Sequence, residues 1–230
     1  MSDFLEFTRV VCGYGDTTVV RGVSGAVGRG RVLAVLGRNG VGKSTLLKAL
    51  SGVLPISGGA VTWEGRRLGG IPLHRRLDLG LAYTPQENVV FGELSVADNL
   101  WLHLKDRNET RYGRLFTMFP LLPRRLTQRA GSLSGGERKL LSFARTLGLR
   151  ARMTLIDEPT EGVQPENIER MAEAIRERRA DGASFIVVEQ NLEFARAVAD
   201  QLLVLDHGVA VLYGDARALT REDVEPHLAI

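Results

Sequence analysis

The chain holds a single cysteine, Cys12, among 230 residues. An internal disulfide is therefore excluded, and the scarcity fits a reducing compartment, with Cys12 read as a small apolar residue in a strand. No stretch reaches the run of about eighteen apolar residues that a membrane-spanning helix needs. The N-terminus "MSDFLEFTRV" lacks the basic-then-apolar form of a signal peptide. Charge of one sign is also scarce. The formal net charge of +3 is too small and too dispersed to argue for nucleic acid. Arginine pairs such as Arg66–Arg67, Arg75–Arg76 and Arg124–Arg125 are expected to be solvated surface. The four histidines, His74, His103, His207 and His227, offer no pair with metal-ligand spacing, which argues against zinc. What remains is a soluble, cytoplasmic protein whose membrane role, if any, comes through a partner.

The sequence does contain alternating strands and helices. "FLEFTRVV" and "TTVVRGVSGAV" alternate as strands, the second closed by Gly28–Arg29–Gly30. "RVLAVLG", "LAYTP", "MTLID", "SFIVVE" and "QLLVLD" are short apolar runs, the form of strands buried on both faces. A helix is predicted from Lys43 to about Leu50. Another begins at Pro165, where Ile168, Met171, Ala172 and Ile175 share one face. This alternation predicts a doubly wound α/β sheet. "QLLVLDHGVAVLYG" reads as a hairpin around His207–Gly208, so part of the sheet should be antiparallel. From about Glu87 to Leu133 no comparable strand appears. Ser95 is expected to cap a helix bearing Val96, Leu100 and Leu104, with Asp98 at the capping-box position. A second helix, "RYGRLFTMF", should stop at Pro120. One domain is expected over 1–230, with an α/β core from 1–86 and 134–230 and a helical subdomain over 87–133.

Two strand ends carry the chemistry. "GRNGVGKS" fits the phosphate-loop pattern G-x-x-x-x-G-K-[ST] and lies between a buried strand and a helix, the context that gives the motif its meaning. Backbone N–H groups of Gly37, Arg38, Asn39, Gly40, Val41 and Gly42 can turn inward around phosphate oxygens, aided by the helix N-terminus. Lys43 is expected to reach the β- and γ-phosphates, Ser44 to ligate Mg²⁺, and Thr45 to meet the α-phosphate. "MTLIDEP" ends a strand in two acids: Asp157 suits the metal, and Glu158 can accept a proton from an attacking water. Gln86, after "LAYTP", can touch both Mg²⁺ and that water. The fold class expected is a P-loop NTPase (RecA-like) mixed α/β sheet core, with an N-terminal antiparallel β part and the inserted helical subdomain. "LSGGE" opens a further helix: Ser134 is a natural N-cap, and Gly135–Gly136 permit close backbone approach, so free N–H groups there form a second anion site.

Taken in order, "GRNGVGKST", Gln86, "LSGGE" and "LIDEP" resemble the nucleotide-binding subunit of ATP-binding cassette (ABC) transporters over nearly the whole chain. The resemblance implies that two cassettes stack head to tail. Ser134, Gly135 and Gly136 of one would then cap the γ-phosphate of ATP held on the partner's P-loop. It further implies that Tyr14 stacks on adenine. Two positions depart from the family's pattern. Gln164 stands where the loop at the dimer interface usually has aspartate, and Gln190 stands where most cassettes have a switch histidine. Glutamine can donate a hydrogen bond to the γ-phosphate but cannot carry a proton as imidazole does. Gln190 is therefore expected to position, and Glu158 to supply the base.

With "EGVQP", "VEQN" and the short end after "VLYGD", the chain looks like the ATPases of branched-chain amino acid and amide (urea-type) uptake systems. The resemblance implies ATP and Mg²⁺ as ligands and a second cassette, identical or different, as partner. It also implies two transmembrane permease subunits, an extracytoplasmic solute-binding protein acting indirectly, and a peripheral place on the cytoplasmic face of the membrane. Val89, Val90 and Phe91 belong either to a docking groove for the permeases or to the core of the helical segment. The competing expectation is a soluble cassette of iron–sulfur assembly. A ribosome-acting protein would pair two cassettes in one chain, and a DNA-repair ATPase would carry a long coiled coil before the signature.

Overall fold

The computed structural model describes residues 4–87, 89–104 and 107–228. The alternating segments at the start form a hairpin, β1 (Leu5–Tyr14) with β2 (Thr17–Val27), paired antiparallel from Leu5↔Val27 to Tyr14↔Thr17. Next come β3 (Val32–Leu36) and helix α1 (Lys43–Ser51), then β4 (Gly58–Trp63) and the two-residue β5 (Arg66–Arg67). β2, β1, β4 and β5 make one antiparallel sheet in that order. β4 was not among the predicted strands: it buries only Val61 and Trp63, and two glycines open it. A short helix α2 (Leu73–Asp78) leads to β6 (Leu81–Thr84).

Three short helices follow: α3 (Val96–Trp101), α4 (Gly113–Met118) and α5 (Leu121–Arg124). Then come the long helix α6 (Gly135–Gly148), β7 (Met153–Asp157) and α7 (Pro165–Ala180). The chain continues through β8 (Ser184–Glu189), α8 (Leu192–Val198), β9 (Gln201–Asp206), β10 (Val209–Asp215) and α9 (Arg221–Val224). The second sheet runs β10–β9–β3–β8–β7–β6, parallel except for the β9–β10 hairpin. This is the mixed α/β arrangement expected of a P-loop NTPase.

Strand side chains alternate between faces, and here both faces are covered. Ile186 and Val188 of β8, with Leu33 and Val35 of β3, pack against Leu46, Leu47 and Leu50 of α1 and the antiparallel sheet. Phe185 and Val187 point the other way, onto α6, α7 and the aromatic residues Trp101, Tyr112 and Phe119. Helix α1 is thereby held between the two sheets, directly behind the P-loop.

Three local expectations change. Arg76 is not solvated: it is 5% exposed and donates to the main-chain oxygens of Leu50, Leu68 and Ile71 at 2.6, 2.9 and 2.7 Å. Leu50 lies in the last turn of α1, and Leu68 and Ile71 lie between β5 and α2, so one guanidinium ties these segments together. Helix α3 ends at Trp101, short of Leu104. Its cap is also only half a box. Ser95 Oγ accepts from the Asp98 amide, while the Asp98 carboxylate accepts from the Ser95 hydroxyl and from Arg107. The second helix of this segment starts at Gly113 and ends before Pro120, which then opens α5.

Candidate nucleotide site

The P-loop joins the buried end of β3 to α1, which no side chain caps at its N-terminus. Gly37 has φ 150°, and a Cβ there would stand 2.4 Å from the Leu205 carbonyl oxygen; no larger residue fits between the loop and β9. Lys43 is 3% exposed and folds back over the loop, donating to the carbonyls of Gly37 at 2.8 Å and Arg38 at 2.9 Å. Thr45 is buried beside it, and Arg38, Asn39 and Gly40 are exposed on the outer turn.

The Asp–Glu pair closing β7 arrives opposite. Ser44 Oγ donates to Asp157 Oδ1 at 2.9 Å. Asp157 Oδ2 is buried with no hydrogen-bond partner among the described residues. Burial pushes the Asp157 carboxyl up to about 6, against a smaller opposing effect of the Ser44 hydrogen bond. An orphaned carboxylate oxygen beside a hydroxyl is a pair of hard oxygen donors, the kind Mg²⁺ takes.

Glu158 is the focus of the site. It lies in the left-handed region at φ 45°, a conformation costing a residue with a Cβ ~1–3 kcal/mol. Its Oε2 accepts from Gln86 Nε2 at 2.7 Å, and its Oε1 from Gln190 Nε2 at 3.2 Å. Lys43 Nζ lies 3.4 Å from Oε1, in an ion pair buried on both sides. Gln190 Nε2 also donates to Asn39 Oδ1 at 2.6 Å. Lys43, Gln86, Glu158 and Gln190, spread over most of the chain, thus meet at one carboxylate.

The other expected site residues lie elsewhere on the surface of the chain. Tyr14 ends β1 and is 47% exposed, with Lys48 Nζ 6.0 Å from its ring centre. Ser134 caps α6 in a full box with Glu137. With Gly135, Gly136, Gln86 and Gln164 it lines a groove of about 1360 Å³ that lacks Lys43. Gly136 is pressed on the loop after β7: a Cβ there would stand 2.5 Å from the Gly162 oxygen. Val89 is buried, Val90 packs on the core and Phe91 is 54% exposed, so the three divide between core and surface.

Glu189 was missed by sequence reasoning. Though 2% exposed, it accepts from the amides of Thr160, Gln190 and Asn191 at 3.0, 3.1 and 3.2 Å. Burial raises its carboxyl above the usual range. One side chain therefore pins both the loop after Glu158 and the loop bearing Gln190. The available signal was an acid at the end of an otherwise apolar strand, the same pattern that marked Asp157.

A glycine loop between a buried strand and an uncapped helix, facing an acidic strand end, defines the class as a P-loop ATPase. Residues 20–161 match the family model described as ABC transporter. The chain is 34% identical to the high-affinity branched-chain amino acid transport ATP-binding protein BraG of Pseudomonas aeruginosa, covering 94% of each. It is 33% identical to the probable branched-chain amino acid transport ATP-binding protein LivF of Archaeoglobus fulgidus, covering 95% of each. The lipopolysaccharide export system ATP-binding protein LptB of Acidithiobacillus ferridurans is 31% identical, over 95% of this chain and 93% of that one. A solved structure of an ABC transporter ATP-binding subunit superposes with a TM-score of 0.83 at 29% identity, over 95% of this chain and 92% of that one. The chain belongs to the ABC transporter family, as an ATP-binding subunit with ATPase activity coupled to transport. Subunits of this family bind ATP, generally with Mg²⁺, and work as dimers with transmembrane permeases. Among the described residues, no helix is long and apolar enough to cross a membrane.

Proposed function

We propose that this chain powers an uptake system for branched-chain amino acids or related amides. Support comes from the likeness to BraG and LivF over nearly the whole chain and from the glutamines at 164 and 190. Segments 1–86 and 134–230 form the nucleotide-binding core, and 87–133 is a helical subdomain that, with Gln86, grips the permeases. A solute-binding protein outside the membrane delivers the solute.

The convergence of Lys43, Gln86 and Gln190 on Glu158 carries the mechanism. Lys43 leaves the Gly37 and Arg38 carbonyls to reach the β- and γ-phosphates, while the P-loop amides from Gly37 to Gly42 and Thr45 hold the rest of the triphosphate. Tyr14 stacks on adenine. Ser44, Asp157 and Gln86 would hold Mg²⁺, whose chemistry there would be to neutralise charge on the phosphate oxygens. Released from Lys43, Glu158 takes the proton of the attacking water, and Gln190 orients the γ-phosphate from Asn39. Ser134, Gly135 and Gly136 close on the partner's ATP, so each site is complete only in the dimer. A few charge-assisted hydrogen bonds across that interface, each worth about 1.5–3 kcal/mol, close the dimer when ATP is present and release it after hydrolysis.

Uptake of labelled leucine and urea by cells lacking this chain tests the proposal. Loss of either, restored by wild type and not by Lys43→Ala, supports it. Uptake of both at the normal rate overturns it. The likeness to LptB makes export of a lipopolysaccharide the second reading, favoured if the cells instead fail to display that lipid.

A further inference from the structure

Outside the residues assigned above, Lys139 is distinguished by what it touches. It lies in the early turns of α6 with a side chain only 15% exposed. Nζ donates to the main-chain oxygen of Glu158 at 3.1 Å and to Glu161 Oε2 at 2.7 Å. That Glu161 oxygen also accepts from Gln86 Nε2 at 3.4 Å, the same nitrogen that reaches Glu158 Oε2. Lys139, Glu158, Gln86 and Glu161 form a closed ring around the catalytic loop.

The strained backbone of Glu158 explains why the ring matters. A left-handed glutamate persists only where its surroundings hold it there. Its amide is held by the Val188 carbonyl at 3.0 Å, and its carbonyl by Lys139. Without the ammonium, the Glu158 carbonyl loses that donor, the Thr160 amide on Glu189 still holds the loop further on, and the aim of the carboxylate loosens. Helix α6 does not need Lys139 for its own packing: Leu140, Leu141, Phe143 and Ala144 are buried on it.

We propose that Lys139 is a positioning residue for ATP hydrolysis: its ammonium, steadied by Glu161, holds the Glu158 main chain and so directs the Glu158 carboxylate. This rests on Glu158 being the base. Lys139 and Ser134 share α6, so the residue that sets this chain's base rides on the element that caps the partner's ATP.

Steady-state turnover of the purified full chain with MgATP tests it. Lys139→Met is expected to lower kcat about thirtyfold, since small misplacement of a reacting group is costly. KM should stay within about twofold, because binding of substrate is untouched. Lys139→Arg, which keeps charge and donors, should recover most of the loss. Glu161→Gln, at an exposed carboxylate, should lower kcat severalfold, and should add nothing in the Lys139→Met background. A merely structural lysine would instead lower Tm and leave the kcat of folded protein at the wild-type value, which overturns the inference. Should Lys139→Met not fold, a wild-type kcat for Glu161→Gln overturns it equally. Glu158→Gln is the control. If it still turns over, the base assignment falls and the inference with it; if it is dead while Lys139→Met is normal, only the inference falls.

Discussion

Folding changes the ionisation of Asp157, a residue of the site itself. A carboxyl raised from 3.8 to about 6 by burial holds its proton more tightly folded than unfolded. Its contribution to stability is therefore present below about pH 4 and is lost as pH rises through about 6, worth roughly 3 kcal/mol at 1.36 kcal/mol per unit. Asp157→Asn removes that loss. In urea denaturation with EDTA and no nucleotide, the variant is expected to gain on wild type between pH 4 and pH 7. A constant difference across that range would show that the carboxyl is not raised. The same burial leaves Oδ2 without a partner and so prepares it for a cation. Both carboxylate oxygens of Glu158, one residue on, do have partners, because Gln86, Gln190 and Lys43 face them.

Among elements, the joint between α1, β5 and α2 depends on one side chain. Arg76 serves three carbonyls from one position, and burial lowers its pKa to about 10 without discharging it at neutral pH. Arg76→Met keeps the bulk and strands the Leu50 and Ile71 acceptors, leaving Leu68 only the Ile71 amide, so a loss of about 3 kcal/mol is expected by urea unfolding. A loss below about 1 kcal/mol would mean water reaches those carbonyls. Arginine spacing did not reveal this role, because Arg75 and Arg76 look alike until α2 turns one of them inward. β4 escaped notice for a related reason: its burial comes from neighbours distant in sequence. The strands β3, β7, β8 and β9 were legible because burial on both faces demands continuous apolar runs. The start of α6 was legible because Ser134 and Glu137 satisfy each other locally.

At the scale of the whole molecule, the P-loop and the Ser134 helix start lie apart, and the groove beside Ser134 does not contain Lys43. In the proposed mechanism, a second cassette brings its own Ser134 helix start to the phosphate held by this chain's P-loop. Glu158→Gln, saturated with ATP and Mg²⁺, is expected to elute at twice the mass of a single chain in size exclusion with light scattering. With ADP it should return to the single mass. A variant that stays single with ATP, alone and with its cassette partner, would sink the sandwich.

Local chemistry alone determined the P-loop, the acid pair after β7, the capped helix at Ser134 and the expectation of a mixed α/β sheet. Each rests on residues adjacent in the chain or on a strict period, which backbone geometry converts directly into a strand, a turn or a helix end. Only the tertiary structure decided that Gln86 and Gln190 share one carboxylate, that Glu189 ties two loops together, and that Arg76 and Lys139 serve distant carbonyls. Those contacts join segments remote in sequence, and a side chain's partner across the fold leaves no periodic trace in the residues beside it.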